Sequence, residues 1–264
     1  MGSPAWITGI FCPLLGCLIC NVMWLSPMKA VLEVRRTGKI GSLNTLPFGF
    51  TIFNCIGWTM YGCLTRDYFI FWSNGPGLAY GIFYVLSTLP YVVKNGMTAD
   101  EILMKNILEA MVVGSAFLWS YVGMICFIIY NPSDIEGNKK IIGYLSSACS
   151  LAYYASPLTT AVQVIKTRDA SSLYAPLIAT NLINATLWVF YGLLALNDIA
   201  VWLPNFVGGC LAIFQLALVL LFRKKTTDDL RSSQKAADSE APRVSEEGSD
   251  TQYKIDSTTV NPLI

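Results

Sequence analysis

Asn-Cys-Ile-Gly-Trp-Thr-Met-Tyr-Gly at residues 54–62 returns as Asn-Ala-Thr-Leu-Trp-Val-Phe-Tyr-Gly at residues 184–192. Sliding the chain against itself so that Asn54 meets Asn184 gives eleven identities over residues 26–64. Chance would give about three or four identities in so apolar a segment. The sequence therefore predicts an internal duplication, and this duplication decides the fold.

The composition around these motifs is that of a membrane protein. Of the 264 residues, 54% are hydrophobic and only 13% are charged, which is about half the charged share of an ordinary globular chain. A membrane helix needs about 20 mainly apolar residues. Seven such runs lie near residues 5–28, 46–65, 69–93, 106–130, 141–163, 175–195 and 200–222. We therefore predict an all-α membrane protein with seven transmembrane helices in a lipid bilayer.

The duplication maps the first three spans onto the last three and leaves the fourth span between them. We predict a first three-helix repeat at 5–93, a linker helix at 106–130 and a second three-helix repeat at 141–222. Because the linker adds one crossing, the two bundles run parallel through the membrane. Residues 223–264 are rich in Ser, Thr and charged residues, and such a segment is predicted to be a disordered cytosolic tail.

The basic residues predict the orientation of the spans, because cytoplasmic loops carry an excess of Lys and Arg. If the N-terminus is outside, the inward loops up to Lys225 hold eleven basic residues, against Arg66, Lys139 and Lys140 on the outer side. We predict an external N-terminus and a cytosolic C-terminus.

Several function classes are excluded by what the chain lacks. It has no histidine, which removes Ser/His/Asp triads, HExxH zinc sites and histidine proton relays. The eight cysteines lie inside apolar runs without metal-ligand spacing, so we expect free, buried thiols. A net charge of +1 gives no reason to expect a nucleic-acid partner. We predict a protein that is not an enzyme and needs no metal or cofactor.

The repeated motif places polar side chains where lipid would not tolerate them unpaired. Asparagine and tryptophan stand four positions apart, on one helix face, and a further asparagine begins the third span of each copy. The resulting set is Asn54, Trp58, Asn74, Asn184, Trp188 and Asn205. An amide offers donors and an acceptor, and an indole face packs against the C–H surface of a pyranose ring. The set suits a neutral polyhydroxylated ligand; the alternative is that Trp packs in the core and Asn cross-links helices.

Two prolines recur in each copy and suggest movement. They are Pro27 and Pro47 in the first copy, and Pro157 and Pro176 in the second. A proline in a membrane helix frees a carbonyl and causes a kink, so we expect four hinges or, alternatively, static kinks. Carboxylates are nearly absent from the spans, with Glu109 the clearest exception. Ion-coupled carriers usually need an intramembrane carboxylate or a comparable ion site, so we expect uncoupled transport.

The chain resembles the SWEET family of eukaryotic sugar transporters over residues 5–222. The resemblance rests on Ser-Pro-Met-Lys-Ala-Val-Leu-Glu-Val-Arg-Arg-Thr (26–37), Ala-Ser-Pro-Leu-Thr-Thr (155–160) and the two Asn-x-x-x-Trp-x-x-Tyr-Gly motifs, the second followed by Asn-Asp. It implies a three-one-three helix bundle that passes small neutral sugars down their gradient in both directions by alternating access. It also implies a homo-oligomer, in the plasma membrane rather than an internal membrane.

The resemblance further implies roles for individual residues. The family's sugar-contacting asparagine pair falls on Asn74 and Asn205, and its aromatic pair resembles Trp58 and Trp188. Asn54 and Asn184 stand where many members have a small residue. The selectivity positions are Cys20, Met23, Ser150 and Tyr153; the bulk of Tyr153 favours a monosaccharide such as glucose over sucrose. The four prolines form the inner gate, and Tyr61, Arg66, Tyr191 and Asp198 form the outer gate.

Two other interpretations stay open at this stage. A PQ-loop-like amino-acid carrier would share the architecture, although this chain has Pro-Met and Pro-Leu where those carriers have Pro-Gln. A seven-helix small-molecule receptor would share the topology, but a receptor does not need an internal duplication with matched prolines.

Overall fold

The computed structural model describes residues 3–41, 43–92 and 99–222, and all regular secondary structure in these ranges is helical. We number seven helices: α1 (Ser3–Trp6, Ile7–Phe11, Cys12–Leu25 and, after a break, Met28–Thr37), α2 (Leu46–Thr65), α3 (Tyr68–Val92), α4 (Ala99–Met124 and Ile125–Tyr130), α5 (Ile135–Tyr153 and Ala155–Thr167), α6 (Ala175–Phe190 and Tyr191–Ala195) and α7 (Ile199–Phe222). Each predicted apolar run falls on one of them. The predicted tail, 223–264, lies outside the described residues.

The outer surface of the helices is apolar. Leu220 is 83% exposed, Phe117 75% and Val22 68%, and so much exposed apolar surface calls for lipid or protein around it. Within the described ranges, four helices are long and apolar enough to cross a membrane: Ile7–Thr37, Ile102–Ile128, Ala175–Ala195 and Ile199–Phe222. The other three, α2, α3 and α5, carry several inward-facing polar residues, which lower their mean hydropathy.

The packing of the helices brings two similar groups together. In one group α3 packs against α1 and α2, and in the other α7 packs against α5 and α6. Between the groups, α1 contacts α6 and α2 contacts α5. Helix α4 packs mainly on α2, where the Trp119 indole donates to the carbonyl of Phe53 at 2.9 Å. The two groups therefore meet along α1, α2, α5 and α6.

The prolines do not all act as predicted. Pro47 and Pro176 lie in the first turns of α2 and α6, where a proline loses no helical hydrogen bond and causes no kink. Pro27 lies in the break of α1, between Leu25 and Met28, and Pro157 lies near the start of the second segment of α5. The expectation of four kinked membrane helices is therefore wrong for Pro47 and Pro176.

Prolines that interrupt a helix lie instead inside α3 and α7, and they include Pro76 and Pro204. A proline has no N–H for the carbonyl four positions earlier. In α3 that carbonyl, Trp72 O, accepts a hydrogen bond from Asn21 Nδ2 at 3.0 Å. In α7 the corresponding carbonyl, Ala200 O, accepts one from Ser147 Oγ at 2.6 Å. Side chains of α1 and α5 thus replace the bonds that these prolines remove.

A π-helical turn explains a shift of one position between the two halves. Up to Gly62 and Gly192, equivalent residues of the two halves are a constant number of positions apart in the sequence. The residues with left-handed backbone that follow α2 and α6 are Arg66 (φ 55) and Asn197 (φ 49), and they are one position further apart. Helix α6 ends in the π turn Tyr191–Ala195, which accommodates one extra residue. Beyond this turn, Asn74 matches Asn205 at the longer offset.

The cysteines are free thiols, but not all are buried. Cys12, Cys55, Cys126 and Cys149 are buried, whereas Cys63 and Cys210 are exposed. The expectation of burial is wrong for these two because they lie on outward-facing positions of α2 and α7.

Candidate functional site

A cavity of about 330 Å³ lies at the centre of the bundle, near the lower end of the usual range for small-molecule sites, about 300 to 1,000 Å³. The structure brings all ten predicted substrate-binding residues into its wall: Cys20, Met23, Asn54, Trp58, Asn74, Ser150, Tyr153, Asn184, Trp188 and Asn205. They come from six different helices, so they come together only when the helices pack.

Ser150 connects the first tryptophan to the first asparagine. The Trp58 indole donates to Ser150 Oγ at 2.9 Å, and Ser150 Oγ donates to Asn54 Oδ1 at 2.7 Å. Because Asn54 Oδ1 already accepts one hydrogen bond in this way, the NH₂ group of Asn54 is the donor that is available to a ligand.

The second half repeats this arrangement with a thiol. Cys20, the counterpart of Ser150 in the first copy, places its Sγ 3.5 Å from Asn184 Oδ1. The Trp188 indole lies over Gly16, where an added Cβ would stand 2.9 Å from Nε1. A thiol is a weaker donor than a hydroxyl, so the two sides of the cavity are similar in shape but differ in hydrogen bonding.

Asn74 and Asn205 are held the opposite way round. The Nδ2 atom of Asn74 donates to the carbonyl of Ile70 at 2.9 Å, and that of Asn205 to the carbonyl of Val201 at 2.7 Å. Their amide oxygens are therefore left as acceptors. Of the four amides described here, two present an NH₂ group and two present an oxygen to the cavity, which matches hydroxyl groups, since each hydroxyl both donates and accepts.

One end of the cavity is closed by buried residues. The buried cluster at this end contains both tryptophans and both tyrosines, together with Ile70, Ile142 and Val201. Tyr61 Oη donates to Asp198 Oδ2 at 2.6 Å, and Tyr191 Oη donates to Asp67 Oδ2 at 2.6 Å. Each tyrosine thus pairs with a carboxylate from the other group of helices.

Lys139 adds an ion pair to one of these carboxylates, at 2.9 Å from Asp198. Burial alone would raise the pKa of Asp198, but the hydrogen bonds from Tyr61 and Lys139 and the lysine charge hold this pKa below its ordinary value. Burial likewise opposes the charge on Lys139, yet Asp198 keeps the pKa of the lysine above its ordinary value. The pair is therefore charged over the neutral pH range.

The structure places three of the four residues predicted for an outer gate, Tyr61, Tyr191 and Asp198, together at this end. Arg66 is exposed at the end of α2, and the ion pair of Asp198 is with Lys139. Sequence reasoning missed Asp67. The duplication of Tyr61 as Tyr191 was the available signal, because a second tyrosine calls for a second carboxylate; nothing in the sequence pointed to Lys139.

The opposite end of the cavity is open. Pro27 and Pro47 line it together with Ser26 and Leu177, and the last two are exposed. Pro176 is exposed at the start of α6 and is not part of this wall, while the side chain of Pro157 lies outside the described residues. Further wall residues that the sequence did not single out are Trp24, Thr51, Ser73, Tyr80, Tyr84, Tyr154 and Asn181.

A sequence profile of the family described as sugar efflux transporters for intercellular exchange, the SWEET family, matches residues 11–96 and 140–227. The chain belongs to this family. Membership of the SWEET family agrees with the apolar outer surface of the helices. It also agrees with the fold, because a solved eukaryotic SWEET transporter superposes on this chain with a TM-score of 0.69 at 22% identity, covering 83% of this chain and 99% of the other.

Curated SWEET relatives are distant but extend over most of the chain. The sugar transporter SWEET1 of Dictyostelium discoideum is 26% identical over 205 residues, covering 77% of this chain and 89% of its own length. The bidirectional sugar transporter N3 of Medicago truncatula is 25% identical over 224 residues, covering 84% and 80%. Both alignments extend well beyond a single half of this SWEET chain, so the resemblance is to the whole helical bundle.

Proposed function

We propose that this protein carries small neutral sugars across a membrane by facilitated, uncoupled and bidirectional transport. The observation that carries the proposal is the central cavity of about 330 Å³, whose wall includes the duplicated indole pair and the two duplicated amide pairs, divided into donors and acceptors. An amide set of this kind satisfies hydroxyl groups without needing a charge on the ligand.

The proposed mechanism is alternating access between two three-helix repeats, 5–93 and 141–222, with 106–130 as the linker and 223–264 as a cytosolic tail. All seven helices would span the membrane, with the N-terminus outside. In that orientation the closed Tyr61 end faces outward and the open Pro27 end faces the cytosol. Outward opening requires both tyrosine–carboxylate pairs to separate, because each pair joins the two repeats.

The side chains on the selectivity positions support a monosaccharide such as glucose over sucrose. Tyr153 lines the cavity and packs edge-on against Phe50, with ring centroids 5.8 Å apart. Its ring is thereby held in the wall and cannot swing away freely. By resemblance to the family, we also propose a homo-oligomer in the plasma membrane.

Shortening Tyr153 is expected to admit larger sugars. In Tyr153→Val the wall loses a phenol, so we expect the ratio of sucrose to glucose uptake to rise about tenfold, within the range that side-chain fit gives to specificity. Initial rates of labelled sugar uptake measure the ratio, and Tyr121→Val, at an exposed position on α4, is the matched control. An unchanged ratio would remove Tyr153 from the selectivity positions.

Uptake is expected to be nearly independent of pH between about pH 5.5 and 8. No carboxylate is among the described residues that line the cavity. At the closed end, the pKa of Asp198 is lowered and that of Lys139 is raised, so protons leave Asp198 below this window and Lys139 above it. Closure should weaken outside this window: in acid, as the pH falls through the lowered pKa of Asp198, and in base, as the pH rises through the raised pKa of Lys139. A steep rise of uptake under an inward proton gradient would contradict uncoupled transport.

The direct test is uptake of labelled glucose, fructose and sucrose into proteoliposomes that contain only this protein and no ion gradient. We expect equilibrative uptake, with glucose faster than sucrose, and the same ratio of maximal rate to KM for influx and efflux. Absence of flux for every sugar with folded protein would overturn the proposal, and flux of an amino acid in the same vesicles would favour the carrier alternative.

A further inference from the structure

The two asparagines that offer acceptor oxygens, Asn74 and Asn205, lie in weakened helical turns. Pro76 removes a backbone donor from the turn of α3 that holds Asn74, and Pro204 does the same in α7 directly before Asn205. Side chains of neighbouring helices therefore take part in holding these turns, as Asn21 and Ser147 already do at the freed carbonyls.

An aromatic donor from a neighbouring helix contacts the backbone beside each asparagine. The Trp24 indole donates to the carbonyl of Ser73 at 2.8 Å, directly before Asn74. The Tyr154 hydroxyl donates to the carbonyl of Pro204 at 3.1 Å, directly before Asn205. In each case the accepting carbonyl belongs to the peptide unit that supplies the backbone nitrogen of the asparagine.

The two contacts are equivalent in the two halves although the residues differ. Trp24 aligns with Tyr154 at the offset of the repeated motif, and Ser73 aligns with Pro204 at the longer offset that also relates the two asparagines.

Glycines make room for both aromatic side chains. An added Cβ at Gly77 would stand 2.7 Å from the Trp24 indole nitrogen, and one at Gly208 would collide with the Tyr154 hydroxyl. These two glycines align with each other at the same longer offset, so the space for the donor is duplicated together with the donor.

The aromatic donors are themselves fixed in place. The backbone carbonyl of Trp24 accepts a hydrogen bond from the Tyr84 hydroxyl at 2.7 Å. Tyr154 packs against Tyr153 with ring centroids 6.4 Å apart, and both aromatic donors line the cavity. A fixed donor on a fixed carbonyl restricts the peptide plane before each asparagine, and the amide bonds to the carbonyls of Ile70 and Val201 then restrict the side chains.

We propose that Trp24 and Tyr154 are positioning residues that aim the acceptor oxygens of Asn74 and Asn205 into the sugar cavity. The role in transport rests on the proposed function, whereas the hydrogen bonds themselves do not. Each of the two positions requires a hydrogen-bond donor, and an indole or a phenol can supply it equally well.

The test separates loss of the donor from loss of the ring. Trp24→Phe and Tyr154→Phe keep an aromatic ring and remove the donor, and Trp24→Tyr restores a donor of the kind that the second half already uses. We expect each Phe variant to raise the KM for glucose about fivefold, with the maximal rate within about twofold of wild type, since one neutral hydrogen bond contributes about 1 kcal/mol. Trp24→Tyr should recover most of the wild-type KM.

Matched controls are available on the outer surface. Trp72→Phe and Tyr121→Phe remove the same donors from side chains that are more than half exposed, and both should leave KM unchanged. If Trp24 and Tyr154 were merely structural, their substitution would lower the amount of folded protein or the maximal rate. The KM would then not differ between variants that keep a donor and variants that lack one.

A second readout keeps this proposal separate from the sugar assignment. Hydrogen–deuterium exchange in segments 73–78 and 204–209 should be faster in Trp24→Phe and Tyr154→Phe, respectively, than in wild type. If wild type transports sugar but the Phe variants keep its KM, the positioning role is wrong and the proposed function stands. If wild type transports no sugar, the proposed function fails, and unchanged exchange in both segments would then also overturn the positioning role.

Discussion

Asn205→Ala should abolish sugar uptake while the protein remains folded. The substitution removes the acceptor oxygen that faces the cavity, and with it the bond to the carbonyl of Val201. A ligand hydroxyl would enter the cavity without a partner, and sites built to hydrogen-bond a substrate discriminate strongly when one partner is missing. We expect initial uptake to fall by about 100-fold or more, with the melting temperature of the purified protein close to wild type.

Asn106→Ala provides the comparison, because Asn106 is an exposed residue of α4 and its loss should leave both uptake and stability unchanged. Asn74→Ala should reproduce the effect of Asn205→Ala from the other side of the cavity. Wild-type flux in both cavity variants would show that these amides do not contact the sugar.

Gly192→Ala should destabilise the protein strongly for the addition of one methyl group. A Cβ at Gly192 would stand 2.7 Å from the backbone nitrogen of Trp202, and one at Gly62 would stand 2.7 Å from that of Phe71. Backbone cannot move aside as a flexible side chain can, so α6 and α7, or α2 and α3, would have to separate. We expect a loss of about 1–3 kcal/mol in the free energy of unfolding for either variant, measured as a lower melting temperature in detergent.

Gly114→Ala is the matched control, since Gly114 lies inside α4 with nothing within 4 Å of an added Cβ. Alanine is the better helix former by about 1 kcal/mol, so this variant should be as stable as wild type or slightly more stable. A Gly192→Ala protein that melts no lower than Gly114→Ala would show that the two helices do not approach as closely as described.

The residues that line the cavity were accessible to sequence reasoning for a physical reason. An amide in an apolar span needs a partner, so Asn54 and Asn184 by themselves indicated an interior location, and the repeat indicated that the two would face each other. The helices were equally accessible, because apolar length alone identifies candidate spans.

Other features depended on tertiary contacts that no local pattern encodes. Lys139 meets Asp198 only because α5 and the α6–α7 turn come together. The π turn Tyr191–Ala195 shifts the alignment of the halves by one position, which a fixed offset cannot follow. The prediction of kinks at the prolines was wrong for a simpler reason. A proline in an apolar run suggests a kink, but Pro47 and Pro176 directly follow the first residues of their helices, Leu46 and Ala175.

Lys139 also illustrates what a single chain can do that two identical subunits could not. Its counterpart in the first copy is Gly9, which has no side chain to pair with Asp67. In a homodimer of half-length proteins, any new charge would appear at both tyrosine–carboxylate pairs at once. In the single chain, Lys139 strengthens one of the two pairs, and Ser150 differs from Cys20 on one side of the cavity. In the proposed transporter, the ease of opening and the fit of the sugar can therefore each be changed in one half while the other half stays as it is.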